Sequence, residues 1–212
     1  MLDSKSFSSR KPKQDRSVAS LNRMFNATMK LLFERQCEDF TLQEVSAEGG
    51  VSIGSIYYRF KSKDDLVREV IAHGLANMAS KEEDSINRLL EECNSLQDYV
   101  PRYISEYADI LKQNELLLRL SMTKASSDNI ASQRGNSQME NASKISTNAL
   151  LQFRDEIHGN PDLKARIVFQ TAFATLARNL SLDTKDDQQL MVDWSSLVSE
   201  LGMMSLAYLV KE

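Results

Sequence analysis

The residues with the clearest chemical potential are hydroxyl side chains that gather in one short stretch of the chain. Ser52, Ser55, Tyr57 and Tyr58 follow directly after a pair of glycines and are interspersed with apolar residues. Hydroxyl groups can hydrogen-bond phosphate oxygens, and a serine can donate to or accept from the edge of a base. Presented together on one face of a short helix, these groups would suit the major groove of DNA.

Two short helices joined by a tight turn must hold these hydroxyls in place. Thr41 can cap a first helix over 41–48, in which Leu42 and Val45 are spaced to face inward. The glycine pair that follows can end this helix, because a glycine readily adopts the left-handed conformation of a C-terminal cap. A second helix then begins with Ser52 as its cap, so the pattern predicts a helix-turn-helix.

The second helix of the motif has two different faces. Its apolar residues recur at helical spacing: Ile53, Ile56, Tyr57 and Phe60. Its opposite face is small and polar: Gly54, Ser55 and Tyr58. We therefore expect one face to pack on a small core and the other to lie against a DNA groove.

The segment from Thr41 to Leu66 resembles the helix-turn-helix of the TetR family of bacterial transcriptional regulators. The residues that carry the resemblance are Thr41, Gly50-Val51-Ser52, Ser55-Ile56-Tyr57-Tyr58, Phe60, Ser62-Lys63 and Asp65-Leu66. Two positions depart from the family pattern, since alanine is usual where this chain has Ser46 and Gly49. The resemblance implies a DNA-binding regulator, a repressor more often than an activator, that binds a palindromic operator as a homodimer and is released by a small-molecule effector. No cofactor is implied.

The expected DNA contacts divide into two groups. Base-edge contacts are expected from Ser52, Ile53 and Ser55, with the isoleucine placed to touch a thymine methyl. Phosphate contacts, which hold the register, are expected from Thr41, Tyr57, Tyr58 and Lys63. For Tyr57, packing in the small core is an equally good alternative, because the residue adjoins the apolar face.

Composition favours an all-α protein. The 212 residues include only three prolines and seven glycines, and the apolar residues mostly follow helical spacing. We expect a disordered basic arm over 1–14, a three-helix helix-turn-helix DNA-binding domain over 15–68, and a larger helical domain for effector binding and dimerisation over 69–212. No signal peptide and no long apolar run is evident, which predicts a cytoplasmic protein without a membrane partner.

The charge is unevenly distributed along the chain. The first 68 residues hold twelve Lys and Arg against nine Asp and Glu, whereas the formal net charge of the whole chain is -4. A basic head on an acidic body favours contact between the head and phosphates, because displaced counterions supply sequence-independent affinity. The basic residues near the N-terminus could reach a phosphate or the minor groove, although a solvated tail explains them equally well.

The helices beyond the motif are generic in sequence. Apolar spacing predicts helices over 15–35 and 63–93, the second of which would bridge the two domains, and a pair over 95–122 that is broken near Asn114. We expect the acidic stretch from Glu82 to Asp84 to be exposed. The segment 126–141 is rich in Ser, Asn and Gln, which is typical of a mobile loop or the start of a weakly buried helix.

The last two helices are predicted to form a dimer interface. Pro161 suits the first turn of one helix, and 190–210 forms the next; both carry apolar residues on more than one face. A second copy of the chain would cover that surface through about 161–210. Burial of the two helices within one monomer is the alternative.

A pocket for the effector is expected in the helical body. The candidates are aromatic or polar residues within apolar stretches: Tyr103, Tyr107, Arg119, Met122, Phe169, Gln170, Phe173 and Trp194. For each of them ordinary core packing is the better explanation. By resemblance, the effector would shift the helix that begins near Lys63 and change the spacing of the two DNA-binding heads.

Enzymatic activity is not indicated. The chain has only two histidines and two cysteines, lacks a glycine-rich phosphate loop, and shows no metal-ligand spacing. A second alternative is a DNA-bound protein that recruits or blocks another protein without sensing a ligand. A closed apolar cavity in the body would favour the ligand sensor, and a filled core would favour the recruiting protein.

Overall fold

The computed structural model describes residues 11–181 and 192–211. Over these ranges all the regular structure is helical, which confirms the predicted all-α class. The helices are α1 (Lys11–Arg35), α2 (Leu42–Gly49), α3 (Ile53–Arg59), α4 (Lys63–Glu92), α5 (Leu96–Gln113), α6 (Glu115–Ser127), α7 (Asn129–Leu150), α8 (Pro161–Ser181) and α9 (Trp194–Val210), with a 3₁₀ helix at Leu151–Glu156 between α7 and α8. None of the described helices is long and apolar enough to cross a bilayer.

The chain divides into two compact units, Met1–Val70 and Ile71–Glu212. Helix α4 belongs to both, since it begins before the division and ends after it. The predicted basic arm over 1–14 falls mainly outside the described residues. Its last four residues, 11–14, already belong to α1, so this helix begins four residues earlier than the sequence predicted.

The first unit is a small helical cluster around an apolar core. The core residues are Met24, Leu32, Phe40, Val45, Ile56, Leu66 and Val67, each at most 3% exposed. Between α1 and α2, Lys30 pairs with Glu48 at 2.6 Å and Arg35 pairs with Glu44. Such partly exposed ion pairs add little stability by themselves, so burial of the apolar side chains holds this unit together.

In the second unit, helix α5 lies at the centre of the packing. One full face of it is buried, from Leu96 through Tyr103 to Leu111. Helix α9 approaches it closely at Gly202, where a Cβ atom would lie 3.3 Å from Cα of Pro101. The absence of a side chain there lets the two backbones meet.

Several sequence-based expectations for this unit are confirmed. The break between α5 and α6 falls at Asn114, and α8 begins at Pro161. The helix expected over 190–210 is seen as Trp194–Val210, while its first two residues lie outside the described residues.

Of the two alternatives for the polar segment 126–141, the weakly buried helix start is confirmed, because 126–127 end α6 and 129–141 begin α7, which Asp128 caps. The expectation that the whole acidic stretch is exposed is wrong. Glu82 is only 5% exposed, whereas Glu83 and Asp84 on the same helix turn face solvent.

Candidate nucleic-acid interface

The turn of the helix-turn-helix is closed by backbone and side-chain hydrogen bonds together. Gly50 takes the left-handed conformation, with φ of 57°, and its amide donates to the carbonyls of Ala47 and Ser46. The hydroxyl of Ser46 also donates to the carbonyl of Val51 at 2.6 Å. Ser46, one of the two departures from the family pattern, therefore has a role in this turn that alanine could not fill.

A capping box fixes the start of α2. The Thr41 hydroxyl accepts from the amide of Glu44 at 3.3 Å, and the Thr41 amide donates to the Glu44 carboxylate at 2.8 Å. This amide, together with the guanidinium of Arg35, lowers the pKa of Glu44 to about 2. The carboxylate therefore stays charged, and the hydroxyl of the exposed Thr41 donates to it at 2.9 Å.

Helix α3 has a buried side and an exposed side. Val51, Ile56 and Phe60 are at most 7% exposed and anchor the helix and its two ends on the core. On the outside, Tyr58 is 89% exposed and Tyr57 is 55% exposed. Core packing, the alternative role considered for Tyr57, therefore does not describe its position.

The two serines of α3 are linked to each other. Ser52 is the cap, accepting from the amide of Ser55 at 3.1 Å, and the two hydroxyl oxygens lie 2.7 Å apart. A hydroxyl has one donor and two acceptor positions, so each serine retains hydrogen-bonding capacity beyond this contact. Ile53 is half-buried beside them.

Lys63 is engaged inside the first unit. Its ammonium donates to the carbonyls of Glu38 at 2.7 Å and Phe40 at 3.1 Å, and it lies 5.3 Å from the centre of the Phe40 ring. It thus ties the start of α4 to the segment between α1 and α2. The sequence did not reveal this role, because the partners are backbone carbonyls more than twenty residues away.

Arg59, in the last turn of α3, was not among the predicted site residues. Its guanidinium donates to the carbonyl of Ser17 at 2.9 Å and to the Ser17 hydroxyl at 2.6 Å. This contact fixes the C-terminal end of α3 against α1. A basic residue in the last turn of the motif's second helix was the available signal for it.

The predicted pocket residues of the second unit are only partly brought together. Tyr103 and Tyr107 stack with ring centres 5.8 Å apart, Tyr107 meets Phe169 at 6.1 Å, and Phe169 stacks on Phe173 at 6.4 Å. Tyr99 extends this row below Tyr103 at 5.7 Å. These five rings form a continuous aromatic ladder along α5 and α8.

The other predicted pocket residues are not part of the ladder's ring contacts. Met122 and Gln170 are exposed, and Arg119 pairs with Glu115 at 3.8 Å. Trp194 packs partly against the core, with the Lys112 ammonium 5.4 Å from its ring centre. Within residues 11–181 and 192–211, no group of three His, Cys, Asp or Glu side chains is placed to hold a metal ion.

Comparisons with known proteins agree with this geometry. Residues 25–70 match the family model of the bacterial regulatory proteins of the tetR family. No curated protein sequence matches the chain. Many solved structures share its fold, and those described next are between 15% and 17% identical to it in sequence.

One of these structures is a protein from Mesorhizobium loti MAFF303099 assigned to the TetR-family transcriptional regulators. It has a TM-score of 0.76 and 15% identity, over 92% of this chain and 96% of that chain. FadR from Bacillus subtilis, solved in complex with stearoyl-CoA, has a TM-score of 0.65 and 17% identity, over 88% and 98% of the chains.

A third is the fatty acid degradation regulator FadR of Bacillus halodurans, with a TM-score of 0.65 and 15% identity, over 88% of this chain and 94% of that chain. The predicted resemblance to the TetR family is thereby confirmed. Residues 25–70, which include the helix-turn-helix, match the family model of the tetR family of bacterial regulatory proteins, and the chain as a whole has the fold of the TetR-family transcriptional regulators.

Proposed function

We propose that this protein is a sequence-specific DNA-binding repressor that acts as a homodimer on a palindromic operator and is released by a small molecule. The observation that carries the proposal is the two-sided helix α3. Its inner side chains are fixed on the core, while Tyr57, Tyr58 and the Ser52–Ser55 pair remain available at the surface. A short, firmly held helix of this kind suits insertion into a major groove.

We propose the same two groups of DNA contacts that the sequence predicts, one to base edges and one to phosphates. Ser52, Ile53 and Ser55 would meet base edges, since the serines retain unused hydrogen-bonding capacity. The four phosphate contacts would come from Thr41, Tyr57, Tyr58 and Lys63. The Thr41 hydroxyl, which has one hydrogen to donate, would exchange its bond to the Glu44 carboxylate for the phosphate. An ammonium has three N–H donors, and two of those of Lys63 are used by carbonyls, which leaves one for a phosphate oxygen.

The homodimer is supported by apolar side chains that α8 and α9 leave exposed. Those on α8 are Leu163 and Ile167, and those on α9 are Met203, Met204, Tyr208 and Val210. Contact through about 161–210 in a second copy would remove this surface from water. Two-fold symmetry would then present two α3 helices to successive major grooves, about 34–36 Å apart.

Control by a small molecule is the remaining part of the proposal. The buried aromatic ladder supplies ring surface of the kind found in ligand sites, and the structurally similar FadR of B. subtilis is described with stearoyl-CoA bound. We keep all eight predicted pocket residues as the proposed lining, with the two exposed ones at its outer edge. Because an operator lies on the chromosome, this role belongs in the cytoplasm.

Selection of bound duplexes from a random DNA pool, at two salt concentrations, tests the proposal. We expect an inverted repeat whose half-sites are about one helical turn apart, with the same preference at both salt concentrations. Enrichment of no motif, with only salt-sensitive binding, would contradict sequence-specific reading. That result would instead favour the protein that recruits or blocks another protein.

A further inference from the structure

A buried carboxyl group lies at the centre of a polar cluster in the second unit. Glu82 on α4 is 5% exposed, and its Oε1 accepts from the hydroxyls of Ser146 at 2.9 Å and Tyr103 at 3.3 Å. These partners come from α7 and α5, so three helices converge on one oxygen atom. A buried acid is costly unless its charge is neutralised by a proton or a cation.

The protein provides no cation for this acid among its described residues. No lysine, arginine or histidine of residues 11–181 and 192–211 pairs with Glu82, and no described residue bonds its second oxygen, Oε2. Burial consequently raises the pKa of Glu82 to about 7, although both hydroxyls favour the charged form. A positively charged ligand that binds beside this carboxyl would therefore favour loss of its proton.

A second observation concerns the hydroxyl of Tyr99. Tyr99 is fully buried, and its hydroxyl has no hydrogen-bond partner among residues 11–181 and 192–211. It lies close enough to Glu82 that a negative charge there raises its pKa, an effect also present at Tyr103 and Tyr107. A buried polar group without a protein partner is uncommon, and a bound polar molecule or ion is one of the ways in which such a group is satisfied.

We infer that this cluster recognises the ammonium group of an organic amine, which would pair with Glu82 while the hydrocarbon part of the amine lies along the aromatic ladder. An ammonium supplies both missing items, a positive charge beside the acid and N–H donors for Oε2 and for the Tyr99 oxygen. An anionic ligand group would instead face an acid of like charge.

This inference rests on the proposed control by a small molecule, and it identifies that molecule as an amine. Helix α4 is the element that carries Glu82, so an amine paired there would act directly on the helix whose first residues belong to the DNA-binding unit. Free energy from the pair could bias regulation only if the amine binds one arrangement of the protein more tightly than another.

The test uses the full-length protein without DNA and a panel of matched probes. Each set contains a short or medium alkyl or arylalkyl amine, the alcohol of the same carbon skeleton and the corresponding carboxylate, with binding measured by titration calorimetry. We expect amines to bind more tightly than their alcohol and carboxylate counterparts. Glu82→Gln should weaken amine binding by about ten- to a hundredfold, the range for a charged hydrogen bond.

Glu83→Gln is the matched control, because it removes the same charge from the neighbouring exposed position. It should leave amine binding unchanged. Binding to the wild type should also tighten as pH rises from 6 to 8, since below a pKa of about 7 the ammonium must first displace the Glu82 proton. The Gln variant should lack this dependence.

The inference is overturned if no amine in the panel binds better than its carboxylate, or if Glu82→Gln binds the amines as tightly as the wild type does. Neither result touches the proposed repressor function, which is decided separately by operator selection. If the protein selects an operator and is released from it only by an anionic compound, the proposed function stands and this inference is wrong.

Discussion

Single side chains in the first unit can serve folding, the proposed DNA contact or both, and Lys63 and Tyr58 illustrate the difference. Lys63 donates to two carbonyls within the unit, so its removal takes this donor from the Phe40 carbonyl, while the Glu38 carbonyl keeps its bond from the Phe40 amide. Tyr58 is almost fully exposed and contributes little to packing. The two residues are therefore expected to respond differently to the same test.

We predict that Lys63→Ala lowers both thermal stability and DNA affinity, whereas Tyr58→Ala lowers DNA affinity alone. The loss of the Lys63 contacts should cost about 1–3 kcal/mol of unfolding free energy. Chemical denaturation and binding to operator and random duplexes would measure the two effects. Ser55→Ala serves as the contrast, because it should change preference among sequences more than total affinity. If Lys63→Ala binds DNA normally once folded, its proposed phosphate contact is wrong.

Glu82 leads to a prediction about stability and pH. Its folded-state pKa, about 7, lies above the ordinary value of 4.5, so folding favours the protonated acid. The stability associated with this proton is complete below pH 4.5 and is lost as pH rises from there to about 7. Glu82→Gln should remove that dependence. At pH 8 its free energy of unfolding should be up to about 3 kcal/mol higher than that of the wild type.

Denaturant titrations of the wild type and of Glu82→Gln between pH 4.5 and 8 would check this expectation. Glu83→Gln, at an exposed position, should follow the wild-type curve. A wild-type protein whose stability does not fall over this range would show that Glu82 ionises in the folded state as readily as in solution.

The sequence did not predict the burial of Glu82, and the reason is physical. The residue stands in an acidic run, which usually marks a solvated surface, although it also lies four residues from both Met78 and Ile86 on the inner stripe of α4. What allows burial is hydrogen bonding to Tyr103 and Ser146, which are 21 and 64 residues away. One sequence does not reveal which distant hydroxyls will meet a carboxyl.

At the level of whole helices, strong local signals made most boundaries predictable. Ser52 as a cap, Asn114 as a break and Pro161 as a first-turn residue each act within a few residues of the boundary they set. The start of α7 was ambiguous because the segment 126–141 is rich in Ser, Asn and Gln and none of its residues is buried, whereas the buried residues of α7 follow it from Ser146 to Leu150. Tertiary contacts with α6 and α8 supply what that sequence lacks.

The close approach of α5 and α9 gives a prediction at this scale. We expect Gly202→Val to destabilise the second unit by about 1–3 kcal/mol, because its side chain would press on the backbone of Pro101 and on Ile104. Gly135→Ala is the control, since a Cβ atom at that helical position meets no atom within 4 Å. That change should stabilise α7 by up to about 1 kcal/mol. If Gly202→Val and Gly135→Ala changed the free energy of unfolding equally, the close packing of α5 and α9 would be contradicted.

For the molecule as a whole, the proposed dimer gives the decisive prediction. Met204 on α9 is 64% exposed, and Met204→Glu would place two carboxylates, related by symmetry, in the proposed interface. We expect the dimer dissociation constant to rise by at least about a hundredfold, with a parallel loss of operator affinity. Sedimentation equilibrium and operator titration would measure both.

Ile130→Glu, on α7 outside the range 161–210, is the matched control for that change, because Ile130 is also about half exposed. It should leave the association state as it is. A Met204→Glu protein that remains dimeric would move the interface elsewhere on the molecule.

The brevity of α3 has a consequence for protein engineering. Its seven residues are too few to form a helix alone in water, where stable isolated helices need about 12–15 residues or more. A peptide copied from this segment should therefore be unstructured and a poor starting point for a synthetic DNA reader. The whole first unit is the smallest sensible module for grafting, and new specificity is best sought by varying Ser55, Tyr57 and Tyr58 while Val51, Ile56 and Phe60 are left intact.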